Sequence, residues 1–136
     1  MGYRSDVMAA FYVSTIEGRE ADALQALRAW YMLKKGECEA QDKSSADWLF
    51  ANFREVELGY VFETDNVKWY NSYEEVQMFD ALVTSFKEAF IEDRGFEADH
   101  CYEFIRIGEE DDDVQIENDG VNDWVLHVER RILCEL

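Results

Sequence analysis

The strongest constraint on the fold is a run near the start of the chain. Between Asp6 and Ser14 stand Val7, Met8, Ala9, Ala10, Phe11, Tyr12 and Val13, with no polar residue to mark a wet face. A strand that keeps one side in water alternates apolar with polar residues, so an unbroken run of this length predicts a central strand buried on both faces. A helix follows over 17–35. Leu24, Leu27, Trp30, Tyr31 and Leu33 recur at three- and four-residue spacing, acids sit near its start, Lys34 and Lys35 near its end, and Gly36 is read as the stop.

After a polar turn, 45–53 reads as a short helix with Trp48, Leu49 and Phe53 turned inward. Val56, Leu58, Tyr60 and Phe62 alternate with Glu57, Gly59 and Glu63, which predicts a strand with one wet face. Thr64-Asp65-Asn66 reads as a turn, and Val67 to Tyr70 as the returning partner of a hairpin. The most regular helix is expected over 73–94. Val76, Phe79, Leu82, Val83, Phe86 and Phe90 form its apolar stripe, Ser72 with Glu75 offers a capping box, and Gly95 ends it. Three strands are expected beyond it, over 101–107, 114–117 and 124–134. The whole chain, 1–136, is expected to be a single α+β domain with a mainly antiparallel sheet. Two main helices cover one face of that sheet, in the ferredoxin-like strand–helix order with extra C-terminal strands.

Aromatics are plentiful at 15%, so the high charge does not signal a disordered chain. That charge is −18, and it is uneven. Residues 97–129 hold twelve acids against one base, Arg106, and the density peaks at Glu109, Glu110, Asp111, Asp112 and Asp113. With Glu117, Asp119 and Asp123 these form the candidate binding surface, one that repels nucleic acid and anionic membrane and attracts a basic protein surface. Carboxylates spaced along strands approximate the charge of a phosphate backbone. Their simpler use is to solvate a loop and keep edge strands from pairing.

Catalytic and cofactor signatures are missing from the sequence. An EF-hand loop started at Asp111 would place Gln115, Ile116 and Asn122 where an acid, a glycine and a glutamate are needed. The cysteines, Cys38, Cys101 and Cys134, form no C-x-x-C pair, and the adjacent His100 and Cys101 would point to opposite faces of a strand. There is no nucleophile elbow, P-loop or dinucleotide-binding glycine pattern. The expectation is a non-enzymatic protein without cofactor or metal. No apolar signal region opens the chain and no run approaches the ~20 residues of a membrane span, so a cytoplasmic protein with reduced thiols is expected. Trp69, Tyr70 and Tyr73 cluster between a strand and a helix, where filling the core is the first use of such residues and an interface the second.

Three stretches carry a resemblance. Gly2-Tyr3-Arg4-Ser5-Asp6-Val7, Asp65-Asn66-Val67-Lys68-Trp69-Tyr70 with Ser72-Tyr73, and Phe104-Ile105-Arg106-Ile107-Gly108-Glu109 are similar to those of small acidic proteins encoded by bacteriophages and prophages, a group without an assigned function. The resemblance implies an infected bacterial cell as the setting and transfers no site residue. Together with the acidic pole it raises an expectation: an inhibitor that binds a basic surface of a host defence or nucleic-acid-processing protein by mimicking nucleic acid. The alternative is a phage assembly or scaffolding protein acting as a homo-oligomer through an apolar interface around Trp69 and Tyr70.

Overall fold

A computed structural model describes residues 3–14, 18–94, 98–110, 112–119, 124–128 and 132–134, with the side chain of Leu133 left aside. The apolar run forms β1 (Ser5–Val13), at the centre of a five-stranded antiparallel sheet. The other strands of that sheet are β2 (Phe53–Val56), β3 (Gly59–Val67), β4 (His100–Gly108) and β5 (Val114–Asp119), in the order β2-β3-β1-β4-β5. Without β5 this is the ferredoxin-like order, as expected from the succession of elements. The helices are α1 (Glu20–Gln41), α2 (Lys43–Ala51) and α3 (Glu74–Phe90).

Alternation along β1 divides the core into two layers. Val7, Ala9, Phe11 and Val13 face the helices, and Phe11 lies among the rings of Trp30, Phe53, Phe79, Phe86 and Tyr102, with centroids 5.1–6.4 Å away. Each such ring pair adds about 0.5–1.5 kcal/mol beyond its buried area. Met8, Ala10 and Tyr12 face the other way, onto Leu126 and Ile132 of a small hairpin, β6 (Leu126–Val128) and β7 (Ile132–Cys134). Both faces of β1 are therefore dry.

Several local expectations need correction. Gly36 does not stop α1. Cys38 packs against the core and Lys34 pairs with Glu37 at 3.1 Å, so the helix continues through the glycine. It ends at Asp42, whose extended backbone lets its carboxylate accept the Ser45 N–H and hydroxyl and so cap α2.

The expected strand over 56–62 with a turn at 64–66 is instead a hairpin turning at Glu57-Leu58. Gly59 sets this register, because a Cβ there would lie 2.1 Å from the Phe11 carbonyl oxygen. Thr64-Asp65-Asn66 stays in β3 as a bulge opposite Asp6, with Asn66 in the left-handed region (φ 54) and its N–H held by the Asp6 carboxylate. Lys68 to Tyr70 do not form a strand; Trp69 drops onto Phe62, Phe79 and Phe104.

Helix α3 buries the expected stripe, but Ser72 makes no cap and the helix ends at Phe90. The Gln77 side-chain amide donates to the Asn71 carbonyl at 3.1 Å and so ties the first turn to the preceding loop. Gly95 lies outside the described residues. Finally, the single long strand expected over 124–134 is the β6–β7 hairpin, because covering β1 requires both Leu126 and Ile132 on the same side.

Candidate protein-binding edge and groove

Strand β5 is an edge strand. Its alternation sends Val114 and Ile116 to one face, where both are exposed, and Gln115, Glu117 and Asp119 to the face that carries the helices. Register places Asp119 beside Tyr102, Glu117 beside Phe104 and Gln115 beside Arg106. Helix α3 covers the sheet only as far as β4, so a groove of about 700 Å³ remains between α3 and β5. Phe104 and Tyr102 form its floor, Trp69 lies at one end, and Asp80, Val83, Thr84 and Lys87 line the helical wall. Those four recur at helical spacing and so share one face.

Charge in the groove is partly matched. Lys87 Nζ lies 2.9 Å from Asp119 and 5.3 Å from the centre of the Tyr102 ring. Asp80 is held above the ordinary carboxylate range, first by desolvation and then by Glu117 across the groove. Burial and, after it, the charges of Glu117, Asp80 and Asp119 push the Tyr102 phenol well up, so it stays protonated.

At the end of the sheet residues of three separate stretches, near Arg4, Asn66 and Glu109, converge. Arg4 donates to the Asn66 carbonyl at 2.9 Å, and Glu109 accepts the Arg4 backbone N–H at 2.8 Å. Arg106 reaches the Ser5 hydroxyl at 3.1 Å. Tyr3 donates to Asp113 at 2.5 Å and accepts the Glu110 N–H at 3.2 Å.

The eight acids of the candidate surface therefore have different roles. Asp113 is turned inward, gripped by Arg106 through two bonds of 2.8 and 3.1 Å as well as by Tyr3, and the Arg106 bonds hold its carboxyl down to about 2. It closes the β4–β5 hairpin. Glu109 is tied to the start of β1. Glu110, Asp112 and Glu117 have exposed side chains, and Glu117 takes the Gln115 amide at 2.7 Å. Asp119 is paired with Lys87. Asp111 and Asp123 lie outside the described residues. Among the described residues, hairpin and edge strand thus gather these acids along one border of the sheet, and of them Glu117 and Asp119 also stand against α3.

Sequence reasoning missed Asp80, whose position in the α3 pattern marks it merely as polar. Glu103 entered the charge count over 97–129 with no role of its own. That side chain is fully buried on the hairpin side of β4, where it accepts the Tyr12 hydroxyl and the N–H groups of Val125 and Leu126. The available signal was a single carboxylate sharing its strand face with Cys101 and Ile105. His100 and Cys101 do point to opposite faces. His100 stacks on Phe90 at 4.1 Å and donates through Nε2 to the Ala23 carbonyl, and burial keeps it neutral.

Among the described residues no group of three or more His, Cys, Asp and Glu side chains is placed to hold a metal ion, and no helix is long and apolar enough to cross a membrane. Compared with known protein families, curated proteins and solved structures, the chain matches none.

Proposed function

We propose that this chain is a non-enzymatic inhibitor, made by a bacteriophage in the cytoplasm of an infected bacterium. In this reading it binds a basic surface of a host defence or nucleic-acid-processing protein in place of nucleic acid. The observation that supports it is the border of the sheet, where exposed acids of the β4–β5 turn continue into the acids of β5. Same-face residues of a strand repeat every ~6.7 Å. Two phosphate steps along one DNA strand cover roughly the same rise. Glu117 and Asp119, two residues apart on one face, therefore match phosphates in axial spacing, although Lys87 already pairs with Asp119 at 2.9 Å.

Glu110, Asp112 and Glu117 can be neutralised together without touching the contacts that close the hairpin. The E110Q/D112N/E117Q variant and the unaltered chain would be used as baits in host lysate at low and high salt. The expected result is capture of a nucleic-acid-binding protein by the unaltered chain alone, lost at high salt and displaced by duplex DNA. Capture indifferent to salt and to DNA would overturn the reading. Recovery of only further copies of the chain or of virion proteins would favour assembly instead, although Trp69, the expected anchor of that interface, is packed against Phe62 and Phe79.

A further inference from the structure

The groove between α3 and β5 holds more negative charge than its own cations neutralise. Arg106 is taken up by Asp113 and Lys87 by Asp119, at 2.8 and 2.9 Å. Asp80 and Glu117, on opposite walls, have no ion-pair partner among the described residues, and the neutral Gln115 amide is all that Glu117 receives. Between them lies an independent oddity. Tyr102 is only 2% exposed and lines the groove, yet its hydroxyl makes no hydrogen bond among the described residues. The hydroxyl oxygen is open to the groove and not sealed in the core, so a donor seated in that space would bond it.

The chemistry of a fitting donor follows from the lining. The carboxylates do not converge as metal ligands do, so a cation there must be extended enough to reach both walls. Trp69, Phe79 and Phe104 border the same space with aromatic surface. A guanidinium fits this combination: it is planar, stacks on aromatic faces, bridges carboxylates with paired N–H groups, and is less strongly hydrated than an ammonium. The volume lies within the roughly 300–1,000 Å³ of ordinary ligand clefts, and the groove opens at the sheet border where the partner is placed.

We propose that the groove receives an arginine side chain of the partner protein, its guanidinium lying between Asp80 and Glu117 and donating to the Tyr102 oxygen. This rests on the basic-surface reading above and adds the one deep contact that a rim of exposed acids lacks. Buried arginine anchors carry most of the energy of many interfaces, while rim charges mainly set the rate of encounter.

The test uses the purified chain and a capped pentapeptide with one arginine flanked by glycines, followed by two-dimensional NMR. Citrulline, which keeps the shape and loses the charge, replaces arginine in the control peptide. The expected result is saturable shifts at Trp69, Asp80 and Glu117, with citrulline binding at least about tenfold more weakly. Asp80→Asn and Glu117→Gln should each weaken the arginine peptide by about the same factor while the spectrum stays that of the folded chain. Equal response to both peptides, shifts confined to the Glu109–Asp113 turn, or variants that bind like the unaltered chain would each overturn the proposal. If the peptide fails while salt-sensitive capture from lysate persists, the groove assignment falls and the basic-surface reading stands. If the peptide seats in the groove while capture is indifferent to salt, the groove stands and that reading falls.

Discussion

The carboxylate of Glu103 has no exposed surface and lies beneath the β6–β7 hairpin, accepting the N–H of Val125 at 3.0 Å and that of Leu126 at 3.1 Å. Tyr12, on the adjacent central strand, donates its hydroxyl to the other oxygen, and burial followed by this bond pushes the phenol far up, so it remains a donor at any physiological pH. One side chain thus fastens the C-terminal hairpin to the middle of the sheet. Removing it strands three donors in a space from which water is excluded, and each unsatisfied group costs about 1–3 kcal/mol. Glu103→Ala is expected to lower stability by about 3–5 kcal/mol in urea unfolding. It should also release Val125 and Leu126 to rapid hydrogen exchange. A loss below about 1 kcal/mol would mean that the apolar contacts of Leu126 and Ile132 hold the hairpin unaided. Glu103 and Asp113 are both acids of the C-terminal third, and both are spent on holding strands together.

At the level of elements, α1 continues through Gly36, although that residue reads as a terminator in the sequence. A Cβ added at Gly36 would meet nothing within 4 Å, and no positive φ is required there. Glycine in a helix costs up to ~1 kcal/mol relative to alanine, chiefly through the entropy it retains when unfolded. Gly36→Ala should therefore stabilise the protein by about 0.5–1 kcal/mol, visible as a rise in thermal midpoint with an unchanged far-ultraviolet spectrum. Gly59 is the opposite case, since its missing Cβ is what lets β3 lie against the Phe11 carbonyl. The two glycines look alike in sequence. Helix α3 was legible because six apolar residues at helical spacing leave only one buried face. The β2–β3 turn was not, because the polar Thr64-Asp65-Asn66 triplet suits a turn and a bulge equally well, and the long-range pairing of β1 with β3 decides between them.

For the molecule as a whole, the net charge of −18 opposes compaction. The described residues form seven ion pairs, and in six of them at least one side chain is exposed. Each such pair contributes no more than about 1 kcal/mol and weakens with salt. The repulsion among the excess acids acts over longer distances and is screened first: the Debye length falls from ~30 Å at 0.01 M to ~3 Å at 1 M. Sodium chloride should therefore raise the thermal midpoint, with each ~1 kcal/mol of relieved repulsion worth roughly 4 °C. A midpoint that falls with salt would show that local pairing outweighs the general field. The same acidity works in favour of the molecule once a basic surface approaches.

Sequence alone determined the class of fold, the central place of β1, the buried stripe of α3 and the location of the acidic border. These are local properties, carried by the period of apolar residues and by where charges fall along the chain. Only the tertiary structure decided what each acid does. Strand alternation tells which face a carboxylate occupies, but not what the chain lays across that face. The hairpin folded over Glu103, the clasp of Tyr3 and Arg106 on Asp113, and the meeting of Asp80 with Glu117 all join segments far apart in the chain. Contacts of that kind arise from packing two faces of one sheet, and no window of neighbouring residues contains them.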